Sequence, residues 1–305
     1  MNTGECKSIK ISILSAMRNE EQHVAEMIES VQNQDFLEWE LLVVDDRSTD
    51  RTADIVKEFA SRDPRISLVA DGSPVGKVRA FNLALAASSG QIIVLLAGDD
   101  RIPRGSLGKR YRAVADLSSE RLAVGYFKIR TFSEDPKFDN VTLPKKKAGS
   151  RSGGSISMNR ALAEKLFPIP ETLVSEHLWL GYGSEFPASR IVESPEVVLE
   201  YRIHSGNSNP RNADFATMSE SMHLRHCAWR KLAESDSLEL DPSPRRQLED
   251  MWTAEELRHA GRLFALARFP VVSLSQRIGL LSMAHPILFG FRKRLFRYFS
   301  GRRGR

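Results

Sequence analysis

The chain has 305 residues, 41% of them apolar and 27% charged, the make-up of a soluble globular protein with room for one large domain or a domain plus an appendage. Its net charge of +5 is unevenly placed: residues 269–305 carry eight Lys or Arg and no acid, so the rest sums to −3, which argues against nucleic-acid binding by the body. Two distant cysteines, Cys6 and Cys227, exclude a disulfide framework and a cysteine zinc site; with no cleavable signal and no transmembrane-length apolar run, a cytoplasmic location is expected.

The first predicted element is a strand, IKISIL (9–14), followed by a helix within NEEQHVAEMIESVQNQ that carries Val24, Met27, Ile28 and Val31 on one face. ELLVV (40–44) is an unbroken apolar run, the mark of a strand buried on both faces. STDRTADIVKEFA reads as a second helix, ISLVA (66–70) as a third strand, VGKVRAFNLALAAS as a third helix closed by Gly90, and QIIVLLA (91–97) as a fourth strand. Four alternations of strand and helix in 100 residues predict a mostly parallel sheet with helices on both faces. Beyond residue 120 the pattern loosens. LAVGYFKIR (122–130) and VVLEYRI (197–203) read as strands, KKKAGSRSGGS (145–155) as a loop and MNRALAEKLF as a short helix; from about 213 the chain turns helical.

In such sheets ligands bind outside the carboxyl ends of the strands. Asp45 and Asp46 follow the second strand, and Asp99 and Asp100 the fourth, in LLAGDD. Two acidic pairs at one mouth suit a divalent cation, Mg²⁺ or Mn²⁺, which takes one or two protein carboxylates and fills its shell with phosphate oxygens and water. The alternative is that Asp99 and Asp100 cap a helix starting near Ile102 and Pro103. A dehydrogenase is excluded because no G-x-G-x-x-G follows the first strand. A nucleotidyltransferase is disfavoured because SAMRNEEQ has no glycine there.

ISILSAMRNEE, LLVVDDRSTDRT, GKVRAFNLALAASSGQIIVLLAGDD and YRIH, in this order and spacing, resemble the inverting glycosyltransferases of family 2 over roughly residues 8–208. The resemblance implies a GT-A fold (Rossmann-like) over residues 1–210, followed by a helical C-terminal extension, 211–305. It implies a nucleotide-sugar donor of the UDP type and a glycan or lipid-linked acceptor in bacterial cell-surface polysaccharide synthesis. It further implies that Asp46 accepts from the base, Asp99 binds the ribose or diphosphate side, and Asp100 and His204 hold the metal. Ala16, Arg18 and Glu20 would line the nucleotide pocket, Lys77 and Arg79 would lie near the phosphates, and Gly153, Gly154 and Ser155 would let substrate approach the backbone. Lys77, Arg79 and Arg18 read equally well as surface charges, and His204 as a hydrogen-bonded loop histidine. The general base of the family falls in VSEHLWLGYG, where Glu176 matches its Glu and His177 stands in place of its Asp. Either residue could serve. The substitution also leaves a nucleotide-sugar-binding pseudotransferase as the non-enzyme alternative.

The tail mixes Ile287, Leu288, Phe291, Leu295, Phe296 and Phe299 with Arg292, Lys293 and Arg297 at helical spacing. A basic amphipathic helix of this kind suits an anionic membrane surface, here the inner face of the plasma membrane; packing against the catalytic domain or dimerisation are the alternatives.

Overall fold

The computed structural model describes residues 10–71, 76–115, 121–145, 147–204, 213–270 and 273–299. Ile9 of the expected first strand, residues 205–210 and the last arginines lie outside the described residues. Two compact units are formed, residues 1–206 and 207–305.

Unit 1 is built on β1 (Ile11–Met17), β2 (Trp39–Asp45), β3 (Ile66–Asp71) and β4 (Ile92–Leu95), with α1 (Val24–Gln32), α2 (Thr52–Arg62) and α3 (Lys77–Ala87) in the connections. α4 (Ser106–Val114) and β5 (Ala123–Phe132) follow, then β6 (Thr142–Leu143), β7 (Ile156–Asn159), α5 (Arg160–Leu166), α6 (His177–Gly183) and β8 (Arg190–Arg202). The sheet order is β3-β2-β1-β4-β7-β5-β6, with β8 paired to β5. β1–β2, β1–β4, β2–β3 and β5–β8 are parallel, whereas β7 runs antiparallel to both β4 and β5.

Alternation along the strands sends residues to opposite faces. Ile11, Ile13, Leu41, Val43, Ile92 and Val94 share one core with α1, α2 and α4. α3 packs on β1 and β2 yet contributes nothing to that core, so it covers the other face. The two serines buried inside β1 are satisfied: Ser12 Oγ donates to Glu40 and Ser15 Oγ to the Leu96 carbonyl, at 2.6 and 2.7 Å.

Several boundaries differ from the sequence expectation. α1 begins at Val24 rather than near Asn19, because Asn19 adopts a left-handed φ of 55° that stops a helix there. β4 stops at Leu95, so Leu96 and Ala97 already belong to the turn. The helix after the acidic pair starts at Ser106, behind Gly105 in the left-handed region, so Asp99 and Asp100 do not cap it. β6 and β7 have no counterpart in the sequence reading, and β8 begins seven residues before Val197.

Unit 2 comprises α7 (Phe215–Ala233), α8 (Pro242–His259), α9 (Leu263–Arg268), α10 (Leu274–Leu281) and α11 (Pro286–Phe299). Ala254, Leu266 and Ala284 form a small core inside it. The Glu255–Arg258 pair is fully buried, and Arg258 also donates to Ser219 and to the Met283 carbonyl. No helix among the described residues is long and apolar enough to cross a membrane.

Unit 1 also buries an arginine. Arg110 on α4 is fully enclosed and donates to the carbonyls of Gly154, Ile156 and Val198 and to the hydroxyls of Ser106 and Ser157. Burial pushes its guanidinium down to about 9. The fixed fork of donors matches acceptors on three chain segments, so Arg110 pins β7, β8 and the turn before β7 to α4. Arg110→Met should strand those carbonyls and lower the unfolding free energy by about 3 kcal/mol, measured by denaturant unfolding; a loss within error would mean the pin is dispensable.

Candidate functional site

Three connections meet at the carboxyl ends of β1, β2 and β4. The loop after β1 is strapped to the loop after β2: Asn19 N–H donates to Ser48 Oγ, Asn19 Oδ1 accepts from Thr49 N–H, and Glu20 N–H donates to Thr52 Oγ1, all at 2.7–2.9 Å. Asp45 is buried and accepts from Ser48, so it shapes the turn rather than facing a ligand. Asp46 is half-buried and its Oδ1 accepts from Gly76 N–H at 3.0 Å. Asp46 thus tethers the residue before Lys77. The first turn of α2 is served by Asp50, whose Oδ1 accepts from Thr52 N–H and Oγ1.

At the end of β4, Gly98 is buried against Glu20: a Cβ there would lie 2.9 Å from Glu20 Cγ, so only glycine lets the two loops close up. Asp99 Oδ2 lies 3.2 Å from His204 Nε2, and His23 meets His204 edge-on at 5.4 Å. Asp100 is buried, and its Oδ1 accepts from Arg202 N–H at 2.9 Å. Arg202, at the end of β8, also donates to the Asp99 carbonyl and to Glu26. Arg101 binds Glu26 and Glu200 beside it.

Asp100 and Glu20 are held in poor surroundings for charge. Burial, then Asp99, pushes Asp100 well above the usual carboxylate range. Burial, then Asp99 and Asp50, raises Glu20 to about 7, against the opposing pull of Arg202. Such a mouth favours a bound cation. Adjacent ligands of an octahedral cation with bonds of ~2.1 Å lie about 3 Å apart, close to the 3.2 Å between Asp99 and His204. Among the described residues no three His, Cys, Asp or Glu side chains form a complete metal cage. The residues therefore fit a cation that takes part of its shell from a ligand's phosphates.

On the far side of the mouth, Lys77 Nζ lies 3.1 Å from Glu176 Oε1. Glu176 is only 6% exposed, and among the described residues its Oε2 has no hydrogen-bond partner. A Cβ on Gly153 would lie 3.4 Å from Oε1, which locates the carboxylate beside the Gly153–Gly154 turn and Leu95. His177 is half-buried, with Nδ1 2.8 Å from Ser175 Oγ. Of the other expected site residues, Ala16 and Gly154 are half-buried and Arg18 is exposed. Arg79 faces Glu171 at 3.8 Å on the surface, apart from the acids. Arg202 and His23 belong to the site without having been singled out; Arg202 stands two residues before His204 in YRIH.

The sequence profile described as "Glycosyl transferase family 2" matches residues 12–167, just over half of the chain. The chain belongs to glycosyl transferase family 2. Among curated family relatives, the Escherichia coli protein named UDP-Glc:alpha-D-GlcNAc-diphosphoundecaprenol beta-1,3-glucosyltransferase WfgD is 40% identical over 90 residues, 30% of this chain and 35% of that one. Across such relatives the chain spans less than half of their length. Among solved structures, S. aureus TarS 1-349 in complex with UDP-GlcNAc superposes with a TM-score of 0.62 at 19% identity, covering 97% of this chain and 93% of that one. The mannosyltransferase PcManGT from Pyrobaculum calidifontis, in complex with GDP-Man and Mn²⁺, gives 0.59 at 18% identity, covering 96% and 84%. At these identities the likeness establishes the fold, and it bears out the GT-A architecture expected for family 2.

Glu20 holds its proton more tightly in the folded protein than in the unfolded chain. Its contribution to stability is therefore full below its ordinary value of 4.5 and is lost as pH rises through about 7. Glu20→Gln, which fixes the uncharged form, should raise the melting temperature of the ligand-free protein by roughly 2 °C near pH 8 and leave it unchanged at about pH 5. An equal shift at both values would trace the effect to packing instead.

Proposed function

We propose that this chain is a metal-dependent inverting glycosyltransferase. It takes a sugar from a nucleotide-sugar donor of the UDP type and passes it to a hydroxyl of a glycan or lipid-linked acceptor in bacterial cell-surface polysaccharide synthesis. Family membership supports the reaction class, and the donor and acceptor named for WfgD, with the UDP-GlcNAc bound by TarS, support the substrate classes. The observation that carries the mechanism is Glu176: a buried carboxylate with one oxygen against Lys77 and the other without a partner among the described residues. A buried acceptor oxygen left unpaired costs free energy until a donor arrives. A substrate hydroxyl is such a donor, and Glu176 is therefore the general base in preference to His177.

In this reading the acceptor hydroxyl gives its proton to Glu176 Oε2 as its oxygen bonds to the anomeric carbon. The bond from that carbon to the diphosphate breaks in the same displacement, with inversion. Asp46 takes the base or holds the α3 start against it, Glu20 and Ala16 line the nucleotide, and Lys77 stands near the departing phosphates. Asp99, Asp100 and His204 would supply part of the shell of a Mn²⁺ or Mg²⁺ ion, which would neutralise charge developing on the diphosphate.

Glu176→Gln should cost about 10²-fold or more in kcat with donor affinity preserved, followed as acceptor transfer or as slow donor hydrolysis by water. His177→Ala should keep most of the rate. A dead His177→Ala with an active Glu176→Gln would hand the base role to the histidine. Donor binding with no turnover in the wild type would leave a binding protein.

A further inference from the structure

The tail carries a surface that the transfer reaction does not use. Among the described side chains, α11 is anchored through Phe289, Arg292 and Lys293. Phe289 packs on Phe215 with ring centroids 5.8 Å apart, Arg292 donates to Ser282 Oγ at 2.7 Å, and Lys293 donates to the Ala213 carbonyl at 2.7 Å. These three hold the helix against unit 2. The opposite stripe carries Ile287, Phe291 and Arg294 at spacings of four and three, with Leu288 beside them. Ile287 is 75% exposed and Phe291 62%, and Arg294 is exposed as well. On the neighbouring α10, Leu274 and Ile278 are likewise exposed one turn apart.

An isolated exposed leucine needs no explanation, but a helix face that joins large apolar side chains to a basic residue does. The charge around it selects the partner. Residues 269–305 carry eight basic residues and no acid. A symmetric dimer through this face would bring two such surfaces together, like charge against like. A phosphodiester strand would meet the arginines but leave Ile287 and Phe291 against water. A bilayer with anionic headgroups satisfies both: acyl chains receive the apolar stripe and the headgroups the arginines. Stable membrane attachment takes two such signals together.

We infer that α11, with the exposed face of α10, lies on an anionic lipid surface, with Ile287, Leu288 and Phe291 entering the headgroup boundary and Arg294 meeting the headgroups. Vesicle binding is read without donor or acceptor, so its test does not depend on either.

The full-length protein should sediment with vesicles of phosphatidylglycerol mixed into phosphatidylcholine, but not with phosphatidylcholine alone, and rising salt should release it. Ile287→Ser/Phe291→Ser should lower partitioning about tenfold or more, and Arg294→Glu should weaken it further. Because both apolar side chains are exposed, the double variant should keep the wild-type melting temperature. Absence of binding to either vesicle, equal binding to both, or an undiminished double variant would overturn the inference. So would a dimer in light scattering that the same substitutions dissolve, since that would assign the face to a second copy.

Discussion

Two adjacent carboxylates at the end of a buried strand constrain everything around them. Asp100 is enclosed, and burial together with the neighbouring Asp99 makes its ionised form costly. The chain answers with Arg202, which donates from its backbone to Asp100 and from its side chain to the Asp99 carbonyl and Glu26. That requires β8 to finish beside the end of β4, although about a hundred residues separate them in the chain. The parallel pairing of β8 with β5, the antiparallel insertion of β7 and the buried Arg110 are the means by which it does so. Gly98 completes the arrangement by admitting Glu20, a third acid, to the same mouth.

The second half of the site is arranged around an opposite imbalance. Lys77 starts α3, whose preceding residue is tied to Asp46, and its ammonium reaches Glu176 at the start of α6. In the proposed reaction Lys77 lies between the donor's phosphates and the base. A diphosphate would compete with Glu176 for that ammonium, so donor and base meet through one side chain. The arrangement favours a base whose second oxygen is already bare when the acceptor arrives.

The first hundred residues were legible because each strand is an apolar run closed by polar turn residues, and each helix has a clear buried face. Asn19 hid the true start of α1, since its left-handed backbone is a property of the strapped loop and not of the local pattern. β7 was absorbed into a helix because Met158, Leu162 and Leu166 repeat at helical spacing, while the strand itself is only four residues long. The early half of β8 contains Pro195 and alternates exposed residues, which disguises a strand. At the site, the acids and the family motifs could be read directly. Glu176 and His177 could not be separated, because adjacent residues differ by about 100° around a helix and the local pattern does not say which of the two faces the mouth. The pairing of Asp99 with His204 and the role of Arg202 depend on contacts across the whole unit.

In the proposed reaction the acidic mouth is balanced by a cation brought together with a nucleotide diphosphate. Calorimetric titration of UDP into the protein, with Mn²⁺ and with EDTA, tests it most directly. Affinity should be at least about tenfold higher with Mn²⁺, with that gain lost in Asp99→Asn, which removes a carboxylate oxygen facing His204. Equal UDP affinity with metal and with EDTA, or an undiminished gain in Asp99→Asn, would contradict it.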